Sequence, residues 1–165
     1  MERKRADNHR GLGVANLMAI QMEAQKEFYD LLKAHFEEEE GIRALPYRDT
    51  LGHWTIGIGH NLAKPISKAA ILQIFSDDLD EAITHTKALF YGYWDAMSDG
   101  RKLALISMCF QLGQSGLQEF RLMIRAIQAG KWEEAASEAL ESQWAIQTPA
   151  RAQRIALMLE TGDIL

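Results

Sequence analysis

At 165 residues and 47% hydrophobic content, the chain is long enough for one domain, or two small lobes sharing one chain, with a sizeable core. Eighteen Lys and Arg against 23 Asp and Glu leave a net charge of −5, which argues against a binder whose affinity comes from neutralising phosphates. The single cysteine, Cys109, excludes an intrachain disulfide and a multi-cysteine zinc site, and its neighbours Ile106, Met108 and Phe110 read it as core.

The first ten residues, MERKRADNHR, are charged with mixed sign and show no apolar periodicity, so they are expected as a frayed tail. From about Val14 to Glu39, Leu17, Met18, Ile20, Phe28, Leu31, Leu32 and Phe36 recur at helical spacings, giving one long helix or two broken near Gln25. Its uncharged stretch, Gly11 to Met22, is too short to span a bilayer and lacks a cleavage signature, so synthesis in the cytosol without an export signal is expected. Gly41 supplies a helix stop, and Pro46 biases Leu45 away from helix. Tyr47 to His60 is the β segment: a turn at Leu51-Gly52, then Trp54, Ile56 and Ile58 alternating with Thr55, Gly57 and Gly59. Two alternating glycines predict that a backbone or a ligand comes close there.

Ser67 is positioned to cap a long connecting helix carrying Ile71, Leu72, Phe75, Leu79 and Ile83. Short helices follow: about 98–112, 115–129 with a break near Phe120, 131–142 and 149–160. Thr148-Pro149 reads as an N-cap with proline at the first helical position, and Gly130 and Gly162 as stops. The architecture is α+β and mostly helical with one small sheet. Residues 1–26 form an N-terminal extension. Residues 27–165 divide into a sheet lobe (about 40–66), a connecting helix (67–90) and a helical lobe (91–165).

The chemistry on offer is narrow. No glycine loop is followed by Lys-Ser/Thr, and Gly57-Ile-Gly59 lacks the third glycine of a dinucleotide site. The five histidines never fall at paired ligand spacing on one helix face, so no metal and no cofactor is expected. Carboxylates remain. Glu37 to Glu40 close the first helix, where the helix dipole and like charges favour the protonated form, as a general acid requires. Asp49 stands before the hairpin turn and Thr55 after it, so the hairpin brings them together. An acid on one side of a cleft, with a carboxylate and a hydroxyl on the other, suits protonation of a glycosidic oxygen and activation of a water beneath the sugar.

The segments Glu40-Gly41, Tyr47-x-Asp49 and Gly52-x-x-Thr55-Ile-Gly-Ile-Gly-His60 resemble the active-site stretch of the phage-type lysozymes, glycoside hydrolase family 24, in particular the T-even phage branch. Phe110-Gln111-x-Gly113 with Gly116 and Phe120, Lys131-Trp-x-Glu-Ala-Ala136, and Trp144-x-x-Gln-Thr-Pro149-x-Arg151-Ala-x-Arg154 resemble later motifs in the same order and spacing. The resemblance runs from about Phe36 to Gly162 and implies a lysozyme-like two-lobed fold. It implies a muramidase cutting the β-1,4 bond between N-acetylmuramic acid and N-acetylglucosamine, with Glu40 as acid and Asp49 with Thr55 holding the attacking water, on an inverting course. It further implies a His60–Asp78 ion pair, Arg151 facing Glu40, and Phe110, Gln111 and Phe120 lining the substrate cleft, while Asn61 stands where a sugar-contacting leucine is found. Trp132 and Trp144 are assigned to the core.

The biological setting implied is an endolysin: a monomer acting on bacterial peptidoglycan, accumulating in the host cytoplasm and reaching the periplasm when a holin permeabilises the membrane. Neither nucleic-acid binding nor stable membrane insertion is expected. Two alternatives stand beside it. One is a catalytically silent glycan-binding or virion structural protein of the same fold, which would have no chemical need of Glu40, Asp49 and Thr55. The other is non-hydrolytic cleavage to an anhydro sugar, which needs the acid but no water-holding pair.

Overall fold

A computed structural model describes residues 3–165, with side chains from Val14 onward. It is an α+β fold in two compact units divided between Ile66 and Ser67, with seven α-helices and one three-stranded antiparallel sheet. No helix among the described residues is long and apolar enough to cross a membrane.

The first unit holds α1 (Arg3–Glu40) and the strands β1 (Arg43–Arg48), β2 (Trp54–Gly57) and β3 (His60–Asn61) in the order β1-β2-β3. The helix is continuous: no break occurs at Gln25, and the stretch expected as a frayed tail is helical from Arg3 on, while Met1 and Glu2 lie outside the described residues. It stops at Gly41, whose φ of +70° is open to glycine at low cost and whose N–H donates to the Glu37 carbonyl at 3.1 Å. The strand pairing reaches further than the alternation from Tyr47 indicates, starting at Arg43 and adding β3. Pro46 is accommodated because β1 is an edge strand and its register with β2 shifts between Arg43 and Tyr47.

The alternation in β2 is present, but its buried side is the reverse of what side-chain size suggests. Trp54 and Ile58 are exposed, and Thr55 is the one fully buried residue of this unit among those described. Arg48 covers Trp54 instead, its guanidinium 4.1 Å from the ring centroid.

The second unit carries the hydrophobic core. Ser67 caps α2 (Lys68–Leu89), its Oγ accepting from Ala70 N–H at 3.2 Å. A 3-10 turn at Trp94–Ala96 leads to α3 (Asp99–Gln118), then α4 (Arg121–Gln128), α5 (Trp132–Leu140), α6 (Gln143–Gln147) and α7 (Pro149–Thr161). Phe90, Leu105, Met108, Leu117, Ile127 and Leu159 are fully buried, and Cys109 joins them as expected. Two expected helices, 98–112 and the start of 115–129, are one helix kinked at Gly113 (φ +72°). Pro149 does open α7, but Thr148 does not cap it: its hydroxyl donates back to the Trp144 carbonyl at 3.0 Å and closes α6.

The start of α3 is clasped to the end of α7. Ser98 Oγ donates to the Gly162 carbonyl at 2.7 Å, and Arg101 donates to the Leu159 and Glu160 carbonyls at 2.9 and 3.0 Å while stacking on Trp132 at 4.0 Å. These bonds satisfy helix-end carbonyls that otherwise have no partner. Gly100 lies so close that a Cβ there would overlap the backbone carbonyls of Gly162 and Asp163. Gly100→Ala is therefore expected to lower stability by about 1–3 kcal/mol through overpacking, read as a lower denaturation midpoint at unchanged m-value.

Candidate active site

The site in the first unit is built on the sheet. Asp49 follows β1 and organises the turn into β2. Its N–H donates to the His53 carbonyl at 3.0 Å, its carbonyl accepts from Gly52 N–H at 3.0 Å, and its Oδ1 accepts from the N–H groups of Leu51 and His53 at 2.9 and 2.8 Å. The His53 ring nitrogen Nδ1 stands 3.3 Å from Oδ2. This is an Asx-type turn, in which a carboxylate supplies the acceptors a tight turn needs. The His53 N–H contributes most to holding the Asp49 carboxyl below its ordinary value. Partial burial opposes the shift, while Leu51 N–H and the His53 ring add to it. Asp49 therefore carries its charge throughout the neutral range.

Thr55 sits opposite Tyr47 on β1 and Asn61 on β3. Asp49 stands one residue past the end of β1, at the head of the hairpin whose second strand carries Thr55. Thr55 is buried to 3% exposure, and its hydroxyl donates to the His53 carbonyl at 3.3 Å. The oxygen lone pairs remain for another partner. Asn61 Oδ1 accepts from Ala63 N–H at 2.8 Å, fixing the exit of β3. His60 is paired with Ile56, and its Nε2 is buried with no hydrogen-bond partner among the described residues.

Glu40 is the last residue of α1 and is exposed, like the rest of the acidic run. The close backbone or ligand approach expected at the glycine pair is not seen among the described residues, where the one neighbour is a side chain at ordinary contact distance. A Cβ on Gly59 would lie 3.7 Å from Glu40 Oε2, so the acid rests over the β2–β3 turn. Gly57 has no such neighbour; its φ of +67°, like the +74° of Gly59, is the reason for glycine there. Glu40, Asp49, Thr55, His60 and Asn61 thus all belong to one small sheet and the helix end beside it.

The other sequence-indicated residues lie in the second unit. Phe110 on α3 packs on Phe75 of α2 with ring centroids 5.6 Å apart. Gln111 is exposed, and its Oε1 accepts from Trp144 Nε1 at 3.0 Å. Phe120 meets Trp144 edge-on at 5.9 Å and lines a crevice of about 530 Å³ with Met123, Glu138, Ser142 and Trp144. Asp78 is exposed on α2 and Arg151 exposed in the first turn of α7. No group of three or more metal-ligating side chains occurs among the described residues.

Two residues escaped the sequence reading. His53 anchors Asp49, and its signal was the i+4 spacing across a glycine turn. Trp144, assigned to the core, is buried as expected but also holds Gln111, a role that no local pattern encodes.

The family model for phage lysozyme matches residues 37–155. The chain belongs to the phage lysozyme family. It is a lysozyme-type glycosidase, a peptidoglycan hydrolase. Probable T4-type lysozyme 2 of Dictyostelium discoideum is 28% identical over 162 residues, covering 81% of this chain and 95% of that protein. Probable T4-type lysozyme 1 of the same organism is 30% identical with the same coverage. Pre-baseplate central spike protein Gp5 of Enterobacteria phage T4 is 32% identical over 154 residues, covering 76% of this chain but 27% of that longer protein.

Two outcomes are expected from this geometry. A carboxyl with a depressed folded pKa adds stability above its unfolded value of about 3.9 and loses it as pH falls through the folded value. The stability gap between the wild type and Asp49→Asn should therefore be constant above about pH 5 and shrink below about 3.9, as followed by denaturant midpoints between pH 3 and 7. Gly59→Ala should cost about 1–2 kcal/mol from the positive φ alone, because a contact at 3.7 Å is ordinary packing.

Proposed function

We propose that this peptidoglycan hydrolase cleaves the β-1,4 bond between N-acetylmuramic acid and N-acetylglucosamine by direct attack of water. The observation that carries the reading is the Asp49 carboxylate, held ionised by two backbone N–H groups at the head of the hairpin whose second strand carries Thr55. Glu40 donates a proton to the glycosidic oxygen as the C1–O bond breaks. Asp49 accepts a proton from the water and Thr55 Oγ orients it, so the new C1–O bond forms on the opposite side of the ring and the anomeric configuration inverts. Inversion calls for a carboxyl separation of about 6.5–9.5 Å, enough for one water between acid and base.

Phe110, Gln111 and Phe120 are assigned to substrate contact, since an exposed aromatic ring and an amide fixed by Trp144 suit the apolar faces and hydroxyls of sugars. Asn61 is assigned the same role from β3. Arg151 is read as facing Glu40. Asp78 is read, from the family resemblance, as the partner of His60, whose Nε2 is buried without a hydrogen-bond partner among the described residues. In this reading the protein is an endolysin that accumulates in the host cytoplasm and attacks the wall in the periplasm once a holin opens the membrane.

A second reading has one observation in its favour. The similarity to a central spike protein over about a quarter of that protein's length supports a virion-associated form of the same unit. Detection of the chain in purified particles would select it.

Mass spectrometry of fragments released from purified peptidoglycan tests the chemistry. Hydrated muramic-acid reducing ends are expected from the wild type, with a loss of at least about 10²-fold in Glu40→Gln. Anhydro ends would keep the acid and remove the water-holding role of Asp49 and Thr55. No fragments from folded protein would leave glycan binding as the activity.

A further inference from the structure

The family match begins at residue 37, so nearly all of α1 precedes it. That helix carries ten large apolar side chains between Val14 and Phe36, each 36–71% exposed. They are not scattered. Val14, Met18, Gln21, Gln25, Phe28 and Leu32 follow one another at alternating steps of four and three, the spacing of a coiled-coil seam. Leu17 and Leu31 flank the seam on one side, Met22 and Tyr29 on the other, while Glu23, Lys26, Asp30 and Lys33 lie opposite.

We infer that this face is covered by α1 of a second copy of the chain, running antiparallel. Three observations select that occupant. First, the seam is self-complementary in one antiparallel register. With the two-fold axis at residue 23, Gln21 meets Gln25, Met18 meets Phe28, and Val14 meets Leu32, so amides pair with amides and apolar layers with apolar layers. Moving either helix by one heptad sets glutamines against Phe28 and Leu32, or against Val14 and Met18, leaving buried amides without partners.

Second, charge fixes the direction. The sequence places Arg3, Lys4, Arg5 and Arg10 at one end of α1 and Glu37 to Glu40 at the other. Parallel pairing would set like charges side by side; antiparallel pairing brings opposite ends within about a turn of each other. Third, the area suffices. At on the order of 80 Å² per exposed side chain, the eight apolar side chains on and beside the seam offer about 640 Å², within one partner's share of a standard interface. An anionic lipid surface is disfavoured, because Glu23, Glu27, Asp30 and Glu37 outnumber Lys26 and Lys33 on the polar side.

The inference replaces the monomer expected from the sequence with a dimer in which the two Glu40 residues stand about 50 Å apart along the helix axis. Sedimentation equilibrium of the full chain between 1 and 100 μM gives the first test. A mass twice that of the chain is expected for the wild type, and the single-chain mass for Met18→Glu with Phe28→Glu. A single-chain mass for the wild type throughout this range would overturn the proposal, and so would a trimer.

Direction is read separately, in a Cys109→Ser background, from Met18→Cys and Phe28→Cys proteins. Under mild oxidation the mixture should form a mixed disulfide, and neither protein alone should form more than a tenth as much. Efficient cross-linking of each alone means a parallel pair and overturns the register. Should the double glutamate variant fail to fold, the wild-type mass and the cross-linking pattern still decide. Neither reading depends on catalysis, so failure of the proposed chemistry leaves this inference standing and the reverse.

Discussion

Two short hydrogen bonds to one oxygen hold the site together. Asp49 Oδ1 accepts from Leu51 and His53, and with both in place the chain between β1 and β2 has one shape. The shape of that turn sets the register in which Tyr47 opposes Thr55. Register decides facing, because a slip of one residue would carry Thr55 to the other side of the sheet. The same bonds hold the carboxyl in its charged form. Structural anchor and proposed catalytic base are thus one residue, and an apolar substitute there would disturb the turn before any question of catalysis arose.

The acid is positioned by different means. Glu40 takes its place from the end of α1, which Gly41 terminates with a positive φ, and its carboxylate lies beside the β2–β3 turn at Gly59. Three glycines therefore act within twenty residues: Gly41 ends a helix, and Gly57 and Gly59 take the positive φ that the β2–β3 turn requires. Alanine at any of them would be strained, though only at Gly59 would its methyl group meet the carboxylate.

Much of this was legible in the sequence because it is local. Gly41, Ser67, Gly130 and Gly162 announce helix ends, and the Asp49-to-Thr55 spacing announces a tight hairpin. What failed was decided by packing or by competition for a hydrogen bond. Thr148 has the composition of a cap, yet its hydroxyl and its N–H both turn back to the Trp144 carbonyl, at 3.0 and 2.9 Å, and close α6 instead. The Arg43 start of β1 was hidden by Pro46, which weighs against a strand unless the strand is known to lie at an edge. Gln111 was singled out by its motif, whereas the indole that fixes it lies 33 positions away and needs the fold to be seen.

The continuity of α1 has a consequence for how this chain can change length. Because Glu40 closes an unbroken helix, every residue inserted or deleted upstream moves whatever lies before it by about 1.5 Å and turns it by about 100° relative to the acid. A change of seven residues restores the facing to within about 20°, whereas a change of two or five points the same surface almost the opposite way. The helix therefore acts as a graduated shaft. Segments joined to its far end can be exchanged without touching the sheet, provided that the number of residues between preserves the phase.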